Sequence, residues 1–132
     1  MRLWTYLRAL WRWPWELAWR VTPAAIVKAT PWGIVRVPVG FKYDGASNVP
    51  DLSQAACAVH DWLYATGRID GVRIRQDVAD NIYARMLADA GFSLVDDLRR
   101  LGLARFGGYA WVRYRRMEDR GEDPLAGRAP GH

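Results

Sequence analysis

The sequence predicts a small mixed fold, mainly α with a small β-hairpin (α+β), whose helices pack antiparallel around a His-Asp site. Three observations lead there. Two stretches, from Asp51 to Ala65 and from about Arg73 to Ala90, repeat apolar residues at steps of three and four. Two β-branched runs, Ala25-Ile26-Val27 and Ile34-Val35-Arg36-Val37, flank the turn residues Thr30-Pro31-Trp32-Gly33. At 132 residues, 51% hydrophobic and 25% charged, the chain can bury one modest core.

Residues 1–20 form a Trp/Arg-rich N-terminal segment. Five of the eight tryptophans lie there, and Trp4, Leu7, Trp11, Trp15 and Ala18 share one helical face, with Pro14 breaking or kinking the helix. The stripe suits either an interfacial anchor, with Trp at headgroup level and Arg reaching phosphates, or packing on the domain's own core. Residues 21–118 read as a single globular domain. The hairpin opens it and, being marginal alone, should lie against helices. Pro38 to Pro50, with two Gly, two Pro, Asp, Ser and Asn, excludes a regular element and reads as a loop long enough for a function.

The first helix starts at Pro50-Asp51-Leu52-Ser53, capped by Asp51 or Ser53, and stops at Thr66-Gly67. Ala55, Ala56, Val59 and Leu63 give its apolar face. The second runs from Arg73 or Arg75 to Ala90, with Val78, Ile82, Met86 and Leu87 as its stripe. A third segment, Leu94 to Met117, is broken near Gly102 and Gly107-Gly108. Residues 119–132, rich in Gly, Pro and charge, read as a disordered tail in which His132 is inert.

The net charge is +5, from 19 basic and 14 acidic residues, which favours acidic partners such as phosphate groups. One cysteine, Cys57, excludes an internal disulfide and fits a reducing compartment. Arg8, Arg12, Glu16 and Arg20 interrupt the N-terminal apolar stretch, which excludes it as a spanning helix of about 20 apolar residues. No clean apolar core marks a signal peptide. Arg99 to Arg120 mixes seven Arg with Tyr109, Trp111 and Tyr114, a blend that suits single-stranded nucleic acid, but no nucleic-acid motif accompanies it.

The chemistry concentrates in His60-Asp61-Trp62-Leu63-Tyr64. On a helix His60 and Tyr64 share a face, and Asp61 sits about 100° round. The neighbours are apolar, so a His-Asp pair there needs partners, since unpaired burial costs roughly 1–3 kcal/mol per group. Asp77 and Asp80 on the next helix are the candidates. A carboxylate on one imidazole nitrogen fixes the tautomer and leaves the other nitrogen as a base. Asp61, with carbonyl oxygens from the Tyr43 to Asn48 loop, could hold a hard cation such as calcium, which takes 6–8 oxygens. Such a cation would stabilise the oxyanion of an ester under attack.

Two resemblances bear on this. Val37-Pro38-Val39-Gly40-Phe41, Asp44-Gly45-Ala46-Ser47, Pro50, His60-Asp61-Trp62-Leu63-Tyr64 and Ala79-Asp80 resemble a phage and prophage family, domain of unknown function 1353. Tyr83 stands where that family usually has Phe, and Asn48-Val49 where it usually has one residue before Pro50. Membership implies synthesis in the host cytoplasm and a possible place in the virion. It implies no activity.

The same stretch is similar to the active site of phospholipase A2, in the disulfide-free form of parvovirus capsids. Ala55 to Tyr64 matches its first helix and Ala79 to Tyr83 its second. That resemblance implies a phospholipase A2-like core, with His60 as the base that activates water, Asp80 holding His60, and Tyr64 supporting the network. It implies that Asp61 binds calcium with the Tyr43-Asp44-Gly45 stretch of a calcium loop. The phospholipase loop has more glycine, Ala46 and Ser47 replace flexible positions of it, and Asp44 adds a carboxylate, so Asp44 could be a direct ligand and another divalent metal could serve. The expectation is a metal-assisted ester hydrolase acting on a phospholipid surface. The alternative is a non-enzymatic virion or assembly protein, partnered by other virion proteins, in which the cluster is a structural polar network.

Overall fold

The computed structural model describes Leu3 and residues 19–44, 54–91 and 108–132. The Trp stripe before Trp19, the proposed cap at Asp51 or Ser53, and the Gly45 to Pro50 part of the loop fall outside the described residues.

Three helices and three antiparallel strand pairs make up the described fold. It is a mixed α+β fold, as the sequence predicts, but richer in strand than one hairpin. The expected hairpin is present as β2 (Ile26–Thr30) and β3 (Gly33–Val37), paired from Ile26↔Val37 to Thr30↔Gly33. Alternation decides its orientation, with Val35 and Val37 buried while Ile34 and Arg36 face outward.

The other two pairs correct the reading. β5 (Arg68–Ile69) and β6 (Val72–Arg73) form a tight hairpin. Its turn is Asp70-Gly71, with positive φ at both positions (51° and 76°). An Asp-Gly turn of this kind matches strand twist, so the signal was present in the sequence. β1 (Trp19–Val21) pairs with β4 (Lys42–Asp44), which lies inside the stretch read as loop. The buried Thr22 locks that junction. Its Oγ1 donates to the Pro38 carbonyl (2.7 Å) and accepts from the Phe41 N–H (3.0 Å).

The two hairpins are joined by Asp70, whose carboxylate accepts from Ile34 N (2.9 Å) and Arg36 Nη1 (3.2 Å). Gly33 makes that approach possible. A Cβ there would sit 2.7 Å from Asp70 Oδ2, and its φ of 131° suits only glycine.

Helices α1 (Gln54–Thr66) and α2 (Gln76–Asp89) form the centre. Their cross-contacts pair Cys57 with Tyr83, His60 with Asp80 and Tyr64 with Gln76. Ascending numbers on α1 meet descending numbers on α2, so the two helices run antiparallel. Ala56, Val59 and Leu63 of α1 are buried as expected, whereas Ala55 is exposed. On α2, Ile82 and Leu87 are buried, and Val78 and Met86 pack at the margin. Phe41, Leu63, Ile82 and Leu87 are fully buried. Each such side chain contributes about 1.5–3 kcal/mol over an exposed one.

The third helix, α3 (Gly108–Asp119), caps the C-terminal end of α1. Arg115 Nη2 donates to the Tyr64 (2.7 Å) and Ala65 (2.8 Å) carbonyls. The last turn of α1 has no basic residue of its own, and this guanidinium complements its dipole from outside. Gly67, at φ 62°, leaves room for this contact, since a Cβ there would overlap Arg115 Nη1 and displace the guanidinium.

Residues 121–132 are not a disordered tail. They form successive turns against the body, with Leu125 and Ala129 buried in the main core. The Lys42 N–H donates to the Arg128 carbonyl (2.7 Å), and Arg128 Nε donates back to the Lys42 carbonyl (3.1 Å). His132 Nδ1 lies 2.6 Å from Asp123 Oδ2 and closes the segment on itself. Two apolar residues four apart, Leu125 and Ala129, seat in the core a stretch whose composition suggests disorder.

Candidate functional site

Cys57, His60 and Tyr64 recur at steps of three and four, so they share the face of α1 turned to α2. Asp80 answers from the buried face of α2, 5% exposed. His60 Nε2 lies 2.9 Å from Asp80 Oδ1, and the Tyr64 hydroxyl donates to the same oxygen at 2.7 Å. Gln76 Nε2 donates to the Tyr64 hydroxyl at 3.2 Å. An ionised carboxylate only accepts, which assigns the His60 proton to Nε2. The chain of donors then runs Gln76 to Tyr64 to Asp80, with His60 as second donor to Asp80. Nδ1 is left as the acceptor nitrogen and has no hydrogen-bond partner among the described residues.

Two rings hold the imidazole in place, Tyr64 at 4.3 Å and Tyr83 at 4.7 Å between centroids. Its side chain is 15% exposed. Burial raises the Tyr64 hydroxyl pKa well above the ordinary tyrosine range, the Asp80 charge and hydrogen bond raise it further, and Gln76 opposes the shift. Tyr64 is therefore a fixed donor at neutral pH.

Asp61 points elsewhere. Its Oδ2 accepts from Arg128 Nη2 at 2.7 Å, with the two side chains 19% and 13% exposed. Arg128 Nη1 also donates to the Tyr114 hydroxyl (2.8 Å), and its guanidinium packs over Phe41 and Tyr114. Burial, then the Asp61 charge, raises the Tyr114 pKa, and Arg128 pulls it down.

The structure therefore brings together His60, Asp80 and Tyr64. It does not bring Asp61 to that cluster. Asp77, the other carboxylate considered for His60, is exposed and pairs with Arg75. The Tyr43 hydroxyl donates to Gln54 Oε1 (2.6 Å), and its backbone lies in the β1–β4 ladder opposite Arg20. Asp44 ends β4, and Gly45 lies outside the described residues. Among the described residues no group of three or more His, Cys, Asp and Glu side chains could hold a metal ion. The sequence reading missed Gln76 and Arg128. Gln76 lies four residues before Asp80, on the same face, and periodicity could have found it. Nothing local marks Arg128. One open cleft of about 410 Å³ passes Trp62 and Thr66 of α1 and is lined by Arg36, Arg68 and His132, not by His60.

The protein is thus a small α+β domain with a buried His-Asp-Tyr cluster between two antiparallel helices. It belongs to the family described as protein of unknown function (DUF1353), whose model matches residues 19–100. His60, Asp61, Tyr64 and Asp80 lie inside that match, and Tyr114 and Arg128 outside it. No curated protein and no solved structure matches the chain. No described helix is long and apolar enough to cross a membrane.

Proposed function

We propose that the chain is an ester hydrolase in which His60 is the general base. The observation that carries this reading is the polarised imidazole: Nε2 is held 2.9 Å from Asp80 Oδ1, and Nδ1 is left to take a proton from water. Asp80 fixes the tautomer and stabilises the imidazolium that forms, and Tyr64 holds the second position on the Asp80 oxygen. A phospholipase A2-like core and a phospholipid substrate belong to the same proposal and rest on the motif resemblance. The +5 charge and the Trp/Arg-rich first twenty residues suit an anionic lipid surface.

The calcium ion implied by that resemblance fits the described residues poorly. Its carboxylate, Asp61, is committed to Arg128, and no step of the proposed reaction is routed through a metal here.

The test is fatty-acid release from anionic phospholipid vesicles, with calcium and with chelator. Wild type should turn over, and Asp80→Asn should lose roughly 10²–10⁴-fold, the usual worth of general acid–base catalysis. Activity unchanged in His60→Ala would end the proposal.

A second reading is favoured by the Asp61–Arg128 pair and the saturation of Asp80 Oδ1 by two donors. The cluster would then be a structural polar network in a virion or assembly protein. That reading expects His60→Ala to lower the melting temperature, with no turnover in wild type to remove.

A further inference from the structure

We infer that Arg128 supplies at Asp61, from within the chain, the positive charge a divalent cation would otherwise bring, and so closes that carboxylate to calcium. This bears on the cation half of the hydrolase reading, and it stands whether or not the protein turns over an ester.

The guanidinium is held on every side. Nη2 meets Asp61 Oδ2 at 2.7 Å, Nη1 meets the Tyr114 hydroxyl at 2.8 Å and Nε meets the Lys42 carbonyl at 3.1 Å. Its plane lies against Phe41 at 5.3 Å. The backbone is held as well, since the Arg128 carbonyl accepts from Lys42 N at 2.7 Å. One residue thus grips both Asp61 and β4, the strand that carries Tyr43 and Asp44.

Calcium needs 6–8 oxygens at 2.3–2.6 Å. An oxygen carrying an N–H at hydrogen-bond distance, in a pair less than one-fifth exposed, offers it no such approach. The competitor is also tethered, which makes its effective concentration far higher than that of a free ion. A bidentate-capable, weakly hydrated guanidinium suits such a partly buried pairing. The guanidinium comes from residue 128, beyond the 19–100 match, so a carboxylate of the family region is neutralised from outside that region.

Thermal unfolding of the full chain, in chelator and in excess calcium, tests this. Wild type should melt at one temperature in both. Arg128→Gln should melt lower in chelator and rise by several degrees in calcium, and Arg128→Gln/Asp61→Asn should lose that rise. A wild-type rise that disappears in Asp61→Asn overturns the inference, as does an Arg128→Gln protein indifferent to calcium. Should the Gln variant fail to fold, Arg128→Lys replaces it. Lys keeps the charge but cannot reproduce the three-way guanidinium anchorage, so a smaller calcium rise is expected and its absence overturns the inference. Loss of turnover in every protein would end the hydrolase reading and leave these melting curves to decide the metal question alone.

Discussion

His60 and Asp61 are neighbours on one helix, yet they belong to two differently built regions. His60 faces α2 and is satisfied by Asp80, 20 positions away, in a cluster carried by two helices that pack face to face. Asp61, a third of a turn round, is satisfied by Arg128, 67 residues away in a segment of turns. The first region is a product of helix periodicity, and its polar groups are placed by the same spacing that places the core. The second is a product of chain closure, and exists only once the C-terminal segment has docked. The first should therefore fail with the core, and the second with the segment.

The largest expected effect breaks the first region. Asp80→Ala removes the acceptor of both His60 and Tyr64 at a site only 5% exposed. Leaving two buried donors, the His60 Nε2–H and the Tyr64 hydroxyl, without their acceptor costs about 1–3 kcal/mol each. Urea unfolding should show this loss, and a cost below about 1 kcal/mol would mean the cluster is not a buried, coupled unit. Next comes Arg128→Ala, which leaves Asp61 and the Tyr114 hydroxyl without this donor. A hydrogen bond to a charged group is worth about 1.5–3 kcal/mol, and that is the expected loss. Limited proteolysis should then cut within residues 121–132 before the core in this variant, but not in Asp80→Ala relative to its own global unfolding. Equal susceptibility of segment and core in Arg128→Ala would erase the distinction between the regions.

The same contrast explains what could be read from the sequence. The α1–α2 pair and the β2–β3 hairpin follow from spacings of two, three and four, which need no long-range information, whereas spacing left Asp77 and Asp80 both open as partners of His60 and only the motif resemblance pointed to Asp80 with Tyr64. The β5–β6 hairpin was also legible, through Asp70-Gly71. The clasp was not. Arg128 sits among Gly, Pro and charge, and its worth comes from Leu125 and Ala129 reaching a core that forms elsewhere. Composition predicts disorder there because it counts apolar residues and not where they land. For β4 the reason differs: Lys42–Asp44 has too few residues for a period, and only Arg20, 23 positions earlier, makes it a strand.

The smallest effect sharpens the comparison through two tyrosines. Tyr64 belongs to the first region and Tyr114 to the second, and burial raises both hydroxyl pKa values. An unfolded tyrosine loses its proton near pH 10, while these two keep theirs to higher pH when folded. Above about pH 10 the unfolded state then binds fewer protons than the folded one, so unfolding free energy falls as pH rises. The contribution of each is complete below that pH and is lost through the alkaline range. At neutral pH Tyr64→Phe removes a donor to Asp80 and an acceptor of Gln76, for about 1–2 kcal/mol. In alkali it removes one titrating tyrosine, so its stability curve should run flatter than wild type between about pH 10 and 11. Arg128 pulls the Tyr114 pKa down and has no such part at Tyr64. Arg128→Ala should therefore steepen the alkaline loss that remains in Tyr64→Phe, and leave unchanged the loss that remains in Tyr114→Phe. Urea midpoints across that pH range decide it. A Tyr114→Phe background that still responds to Arg128→Ala would show that the two regions are one electrostatic unit.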